Sequence, residues 1–304
     1  MTAQATDGRD LSVQAERRVA RQFMGRVQWE MIVIGIGKAA VWATTFVLTI
    51  VGALPLWLGF VIATLCCCVA YLPSHEGQHG NISGRRARWR WLDATVGQIS
   101  FIPLAGSHSA ARVVHLKHHA HTNDPDTDPD HHVMQEHWWQ AALAPHRGRN
   151  SHVVIHHALH DERFRAGLQQ GVPVLKLLRL LMLISVVLFP LPTLFVWWLP
   201  RAIGLSYLTI FFAWQPHRPG SETGRYQDTR FWRVPVPRFI LQSMPTHVVH
   251  HLYPTIPHWD EPKALEALKP FLLERGVPGA EEIPERVRFN PLVGRDALGA
   301  SSAR

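Results

Sequence analysis

The apolar residues of this chain are gathered into long, nearly unbroken runs, and that distribution limits the fold more than any other feature. From Met31 to about Val51 the sequence is apolar apart from Lys38. Gly52-Ala53-Leu54-Pro55 then breaks the run, and a second continues to about Leu72. Each run approaches the roughly 20 residues that carry a helix across a bilayer. Almost no loop separates them, so they form a helical hairpin whose two ends return to one side. A second pair follows, the first run from Val172 to about Pro190 and the next ending at Trp214, with Trp197-Trp198-Leu199-Pro200-Arg201 as the expected far-side turn. Lipid leaves no partner for unpaired backbone groups, so these spans are helices. The expected fold is therefore an all-α integral membrane protein with two transmembrane hairpins, four spans in total. Lys38 either snorkels or packs inside the bundle. Residues 94–112 carry Pro103, Gly106 and His108 and are too weakly apolar for a full crossing, so they read as a re-entrant or partly embedded helix.

Flanking charge gives the orientation. The net charge is +8, but the arginines sit beside the apolar runs, which points to membrane orientation and an acidic partner and away from nucleic acid. Residues 1–28 are polar and arginine-rich, with only weak helical spacing of Leu11, Val13, Val19, Phe23 and Val27. They lack the pattern of a signal peptide, and with Lys176 and Arg179 at the start of the third run they predict a cytoplasmic N-terminus. The chain divides by composition into this segment, a membrane domain over 29–276 and a polar tail over 277–304. Between Gly84 and Leu92 arginine alternates with tryptophan, as in a segment lying at headgroup depth. Cys66, Cys67 and Cys68 are consecutive within an apolar run, a spacing that fits small apolar filler and no disulfide or metal framework.

Histidine carries the chemistry. His115, His118 and His119 stand at i, i+3 and i+4, positions that share one helical face. His247, His250 and His251 repeat the spacing, and His75 and His79 stand at i, i+4 where the first hairpin exits. His217 arrives where the second hairpin exits. Neutral imidazole is the commonest metal ligand, and nine convergent imidazoles exceed one four-coordinate zinc but suit two ions with four or five ligands each. Imidazole fits iron, zinc, copper or nickel, and iron is favoured because a ligand set beside apolar helices suits oxygen chemistry on a lipid. Asp124, Asp128 and Asp130 follow the second cluster and serve either to orient ligand histidines or as turn and cap residues around Pro125 and Pro129. His152, His156, His157 and His160 also share a helical face, but no carboxylate precedes them, and they read as part of an amphipathic helix. His121, His108, His131, His132, His137, His146 and His258 are not expected as ligands.

On these residues the chain resembles the membrane fatty-acid-desaturase superfamily, and within it the desaturase-type β-carotene hydroxylases. The resemblance rests on His115 to Ala120, Asn123-Asp124-Pro125, Asp128 to Asp130, Pro216-His217-Arg218-Pro219, His247 to Leu252 with Pro254, Ile256 and Pro257, and Lys269 to Gly276. It covers roughly residues 65–276. It implies three histidine boxes around a di-iron centre: His75 and His79; His115, His118 and His119; His247, His250 and His251, with His217 as an additional ligand. Glu76 stands where related carotenoid enzymes tend to have Asp; it takes that acidic role or faces solvent.

The activity so implied is O2-dependent oxidation of an apolar lipid or carotenoid, with two irons and two external electrons. No Gly-rich dinucleotide fingerprint and no cluster-binding cysteine set occur, so an external donor such as a ferredoxin is expected. Arg85, Arg86, Arg88, Arg147 and Arg149 are available to it, or to lipid phosphates. Hydroxylation of a carotenoid ring is the leading expectation, in an inner or plasma membrane with the site on the cytoplasmic side. An acyl-lipid desaturase or hydroxylase, or a carotenoid ketolase, shares the scaffold. A histidine-rich metal transporter would place ionisable residues along a path within the spans. Phe211 and Trp214, one helical turn apart before His217, are the expected channel residues.

Overall fold

The computed structural model describes residues 10–147, 151–218, 220, 222–233, 242 and 244–286. Its helices are α1 (Val13–Arg21), α2 (Trp29–Ile50), α3 (Leu56–Gln78), α4 (Arg90–Phe101), α5 (His108–His121) and α6 (Trp138–Arg147). Further along lie α7 (Ser151–His160), α8 (Glu162–Leu188), α9 (Pro190–His217), α10 (His247–Leu252) and α11 (Glu261–Glu274). No strand occurs among the described residues. The chain forms two compact units, one of Gly25–Gly224 and one of Met1–Met24 with Arg225–Arg304.

In the larger unit α2, α3, α8 and α9 are the helices long and apolar enough to cross a membrane. Their outer faces are apolar and exposed, Val33, Leu65, Leu183 and Val187 among them, as a lipid-facing surface must be. The first hairpin closes as expected. Gly52 takes a left-handed φ of 75°, and Ala53 and Leu54 both donate their N–H to the Leu48 carbonyl, which ends α2 with its last carbonyls paired. Small residues then let spans approach closely. A Cβ on Gly204 of α9 would meet the Cys67 side chain of α3 at 2.8 Å, so the cysteine run is close-packing filler. Lys38 packs inside, its Nζ donating to the Ser100 carbonyl at 2.7 Å and Oγ at 3.1 Å.

The second hairpin corrects the expected turn. The chain reverses at Phe189 (φ −139°, ψ 64°) and restarts at Pro190, whereas Trp197 to Arg201 lie within α9. A proline leaves the carbonyl four residues earlier without its helical donor. For Pro200 that carbonyl belongs to Val196, which accepts the Trp42 indole N–H at 3.0 Å, next to a π-helical stretch over Leu194–Trp198. The helix tolerates Pro200 because α2 supplies the missing donor. α8 also begins ten residues before Val172. Asp161 caps it, accepting the Phe164 N–H at 2.9 Å and pairing with Lys117 at 2.7 Å.

Residues 94–112 fall outside the four spans. α4 stops at Phe101, Ala105 turns the chain in a left-handed conformation (φ 50°), and α5 starts at His108. Gln98 clamps this turn, accepting from the His108 N–H and donating to the Gly106 carbonyl, both at 3.0 Å.

The smaller unit shows the N-terminal segment to be more than a polar arm. Ser12 caps α1 by accepting the Ala15 N–H at 3.2 Å. Val19 and Phe23 pack on a core that includes Leu252, Ile256, Leu265, Leu268 and Leu272. Glu16 is fully buried and accepts from the hydroxyls of Tyr253 (2.7 Å) and Tyr226 (3.0 Å), with the Arg275 Nε at 3.7 Å. The weak sequence periodicity understates this helix because its inward side includes a glutamate.

Candidate metal centre

Both hairpins deliver histidine to one place within the larger unit. His75 and His79 lie at the end of α3, and α5 presents His115, His118 and His119. The ring nitrogens of His75, His79, His115 and His119 lie within 4.8 Å of one another. His115 Nε2 faces His79 Nε2 at 2.9 Å and His119 Nε2 at 3.0 Å. From the end of α9, His217 Nε2 faces His118 Nε2 at 3.3 Å. His75, His115, His118 and His217 are buried, and His79 and His119 are partly so. Burial first, then the His75 and Arg112 charges, hold the His79 ring well below the usual histidine pKa. His115 is lowered in the same way, by burial and then by its histidine neighbours. Neutral rings with lone pairs converging in a buried space are what a metal ion requires.

Of the three aspartates following α5, Asp128 reaches the His118 ring. Its two carboxylate oxygens both lie 3.0 Å from His118 Nδ1, and it also accepts the backbone N–H groups of Asn123 (2.9 Å) and Asp130 (2.8 Å). Burial pushes this carboxyl up, but the His118 ring and those two N–H groups outweigh it and hold it below its ordinary value. A carboxylate on Nδ1–H fixes the tautomer whose Nε2 lone pair points at His217. Asp128 thus orients a ring and closes a turn at once. Asp124 is a turn residue that accepts the Asp126 N–H at 2.9 Å. Glu76 is fully buried, its Oε1 3.6 Å from His75 Nδ1 while Oε2 accepts from the Gln28 amide, so it does not face solvent.

In the smaller unit, α10 holds His247, His250 and His251 together, with ring centroids 4.8 Å to 5.9 Å apart. Glu261, at the start of α11, is buried with Oε1 3.9 Å from His250 Nδ1, while its Oε2 accepts the Thr246 hydroxyl at 2.7 Å. The 3.9 Å approach is an ion-pair separation, longer than the 3.0 Å contacts of Asp128 to His118, and Glu261 Oε2 lies as close, at 3.8 Å, to His258 Nδ1. Nothing in the local sequence marked Glu261, because it lies eleven residues from His250 across a turn.

The remaining histidines sort differently. His121 stacks toward His157, at 5.5 Å between rings, and His157 Nε2 donates to the Thr127 carbonyl at 2.7 Å. His152, His156 and His160 are exposed on α7. Among the expected channel residues, Trp214 is held by packing. Its indole N–H donates to the Gln135 carbonyl at 2.6 Å, and Arg218 covers its face at 4.3 Å. The aromatic that reaches His75 is Phe212, 6.2 Å away and 5.7 Å from Tyr71, which stands 5.7 Å from His75. Residues Thr209–Trp214 are π-helical, so α-helical spacing points to the wrong neighbour. Arg149 and Pro219 lie outside the described residues.

The profile of the family described as "Fatty acid desaturase" matches residues 51–279, three quarters of the chain and all of the histidines above. The chain belongs to the fatty acid desaturase family. Among curated relatives, this desaturase-family chain is similar to a β-carotene ketolase of a Paracoccus species, 27% identical over 202 residues, which is 63% of this chain and 72% of the ketolase. It is also similar to a Δ9 fatty acid conjugase-like enzyme of Dimorphotheca sinuata, 25% identical over 247 residues, 66% of this chain and 65% of that protein. The chain is therefore an oxidoreductase of the membrane desaturase type, and its relatives stand on both the carotenoid and the acyl side of the family.

Proposed function

We propose that this chain is a di-iron hydroxylase of β-ring carotenoids, with the nine histidines His75, His79, His115, His118, His119, His217, His247, His250 and His251 as its ligands. The observation that carries the metal assignment is the pair of Nε2-to-Nε2 approaches to His115, at 2.9 Å and 3.0 Å. A neutral nitrogen with two such neighbours satisfies at most one by a hydrogen bond, whereas a shared cation satisfies all of them. Two bound irons would supply reductive activation of O2 and an oxidant able to take hydrogen from an unactivated C–H. The overall change, R–H with O2, two electrons and two protons giving R–OH and water, balances with electrons from an external acidic carrier. His115, His118 and His119 would hold metal from one helix face, Asp128 keeps His118 in the ligating tautomer, and Tyr71 and Phe212 form an apolar wall beside His75. That wall would seat an apolar ring and exclude water from the reacting carbon.

The carotenoid reading is supported by the ketolase relative and by Pro216-His217-Arg218-Pro219. A ketone at a ring carbon needs a second hydroxylation of that carbon, with another O2, two electrons and two protons giving a gem-diol and water. The gem-diol then loses water, so ketolase activity is a longer course of the proposed reaction. The conjugase-like relative favours an acyl chain as the second reading. The deciding assay offers β-carotene and a long-chain acyl lipid to the same reduced enzyme. A hydroxylated β-ring is expected; an oxidised acyl chain beside untouched carotene would move the assignment. We place the ligands on the cytoplasmic side of an inner or plasma membrane. Cysteine at exposed Ala87 should then be labelled from the cytoplasm and cysteine at exposed Ala53 from the other face. The reverse pattern would invert the topology.

A further inference from the structure

A cavity of about 430 Å³ opens behind the α3 histidines, lined by Gly77, His79, Arg85, Arg90, Asp93 and Arg112, with Ser83, Ser109 and Gln170 also on its wall. Its charge is mainly basic, three guanidinium groups and one carboxylate, Asp93, whose pKa burial pushes up against the lowering effect of the Arg90 charge. Among the described residues none of the three guanidinium groups has a carboxylate within ion-pair distance. Asp93, the acidic member of the lining, is turned to Ser83, whose N–H it accepts at 3.0 Å and whose hydroxyl it accepts at 2.6 Å. Arg112 is placed by its Nε donating to the Gln78 carbonyl at 3.0 Å, and among the described residues its terminal nitrogens make no ion pair. Arg85 is placed by the backbone. Gly84 and Arg85 are consecutive left-handed residues (φ 58° and 61°), and the Arg85 N–H closes onto the Gly80 carbonyl at 3.1 Å. Three cations thus line a space of molecular size, two of them positioned by backbone contacts, and serine and glutamine side chains complete its wall beside Asp93.

Depth selects the ligand. Gly77 lies one residue from the end of α3, and Gln170 lies two residues before the apolar run of α8, so the cavity is flanked by the polar ends of two spans. That is the level of lipid headgroups. Guanidinium groups bind phosphate through paired, charge-assisted hydrogen bonds. We propose that this cavity binds one phosphate group, carried by an anionic phospholipid whose headgroup reaches in from the membrane surface beside His79; free inorganic phosphate is the other source of the same chemistry. A folded protein does not fit a space of this size. Arg86 and Arg88 are separate from it, covering the Trp89 ring at 5.7 Å and 4.8 Å.

The test uses the full chain, purified in neutral detergent and examined by native mass spectrometry with phosphatidylglycerol, phosphatidylcholine or inorganic phosphate added. Phosphatidylglycerol should be retained more tightly than phosphatidylcholine. Arg85→Gln with Arg90→Gln should weaken it roughly thirtyfold, about 2 kcal/mol for two basic side chains at a membrane surface. Arg112 is left intact because it also supports Gln78. Arg86→Gln with Arg88→Gln should change retention by no more than about twofold. Arg85→Lys with Arg90→Lys should keep most of the binding, which separates lost charge from lost fold. Inorganic phosphate that binds while lipid does not would keep the phosphate site and assign it to the free anion. Phosphatidylglycerol retention that is unchanged in the Arg85 and Arg90 glutamine variant, or lost equally in the Arg86 and Arg88 variant, would overturn the site. So would a variant that loses affinity for an acidic electron carrier and none for lipid or phosphate.

Discussion

Two helices of the larger unit carry histidines at nearly the same spacing and put them to different use. On α5, His115, His118 and His119 meet nitrogens from α3 and α9, and a buried carboxylate holds one ring by its far nitrogen. On α7, His156 and His160 have rings 4.4 Å apart, but His160 Nδ1 donates to the His156 carbonyl of its own helix, and both side chains are exposed. What separates the two is the arrival of further imidazoles from other helices, together with the burial of His115 and His118.

The largest break in that contrast is a ligand deletion. His118→Ala should abolish turnover and remove iron from a preparation that otherwise holds close to two per chain, whereas His156→Ala with His160→Ala should leave both intact. Iron quantified by absorption spectrometry on the purified variants decides it, and full activity with zinc alone would sink the di-iron reading. Asp128→Asn comes next. It keeps the shape and removes the charge that fixes the His118 tautomer, so iron affinity should fall about 10- to 100-fold. Competition with a chelator reads this, and an unchanged iron affinity would reduce Asp128 to a turn residue.

A smaller effect concerns His108, which lies on α5 with the ligands but is not one of them. Burial, then the Arg112 charge, bring it from 6.5 down to about 4. The fold holds this ring neutral, so below pH 6.5 the unfolded chain takes up the proton first. Its stabilising contribution is complete above that pH and is lost as pH falls toward 4, by an amount on the order of 3 kcal/mol at most. Thermal unfolding of the apo-protein across this range should steepen with acid, and His108→Gln should flatten the slope. The smallest change is expected at Lys269 and Glu285, an exposed pair at 2.7 Å on the smaller unit. Glu285→Gln should leave the melting midpoint almost unchanged.

The spans and the histidine-bearing helices were legible because apolar run length and histidine spacing are local in sequence. The first turn at Gly52 was legible for the same reason. The second turn was not. Pro200 and the tryptophans beside it look like a break until Trp42, far away in sequence, is seen to donate to Val196. Phe212 was missed because a π-helical stretch shifts the inward face by a residue, and Glu261 because its partner His250 belongs to another element. Glu76 and Asp128 were visible as acids, but which way they pointed was a matter of packing. Sequence pattern locates donors; tertiary contacts decide which donors share a centre.

The two hairpin turns have a further consequence. His79 meets His115 and His217 meets His118, so the returning ends of both hairpins lie together and both turns lie at the opposite end of the larger unit. One turn is the short stretch from Val51 to Pro55, and the other is little more than Phe189. On that face the unit offers almost no polar surface for an antibody, a protease or a regulatory protein to grip. Among the described residues, a ligand designed against the turn end of this unit would meet two tight corners, whereas the histidine-bearing end offers the polar groups.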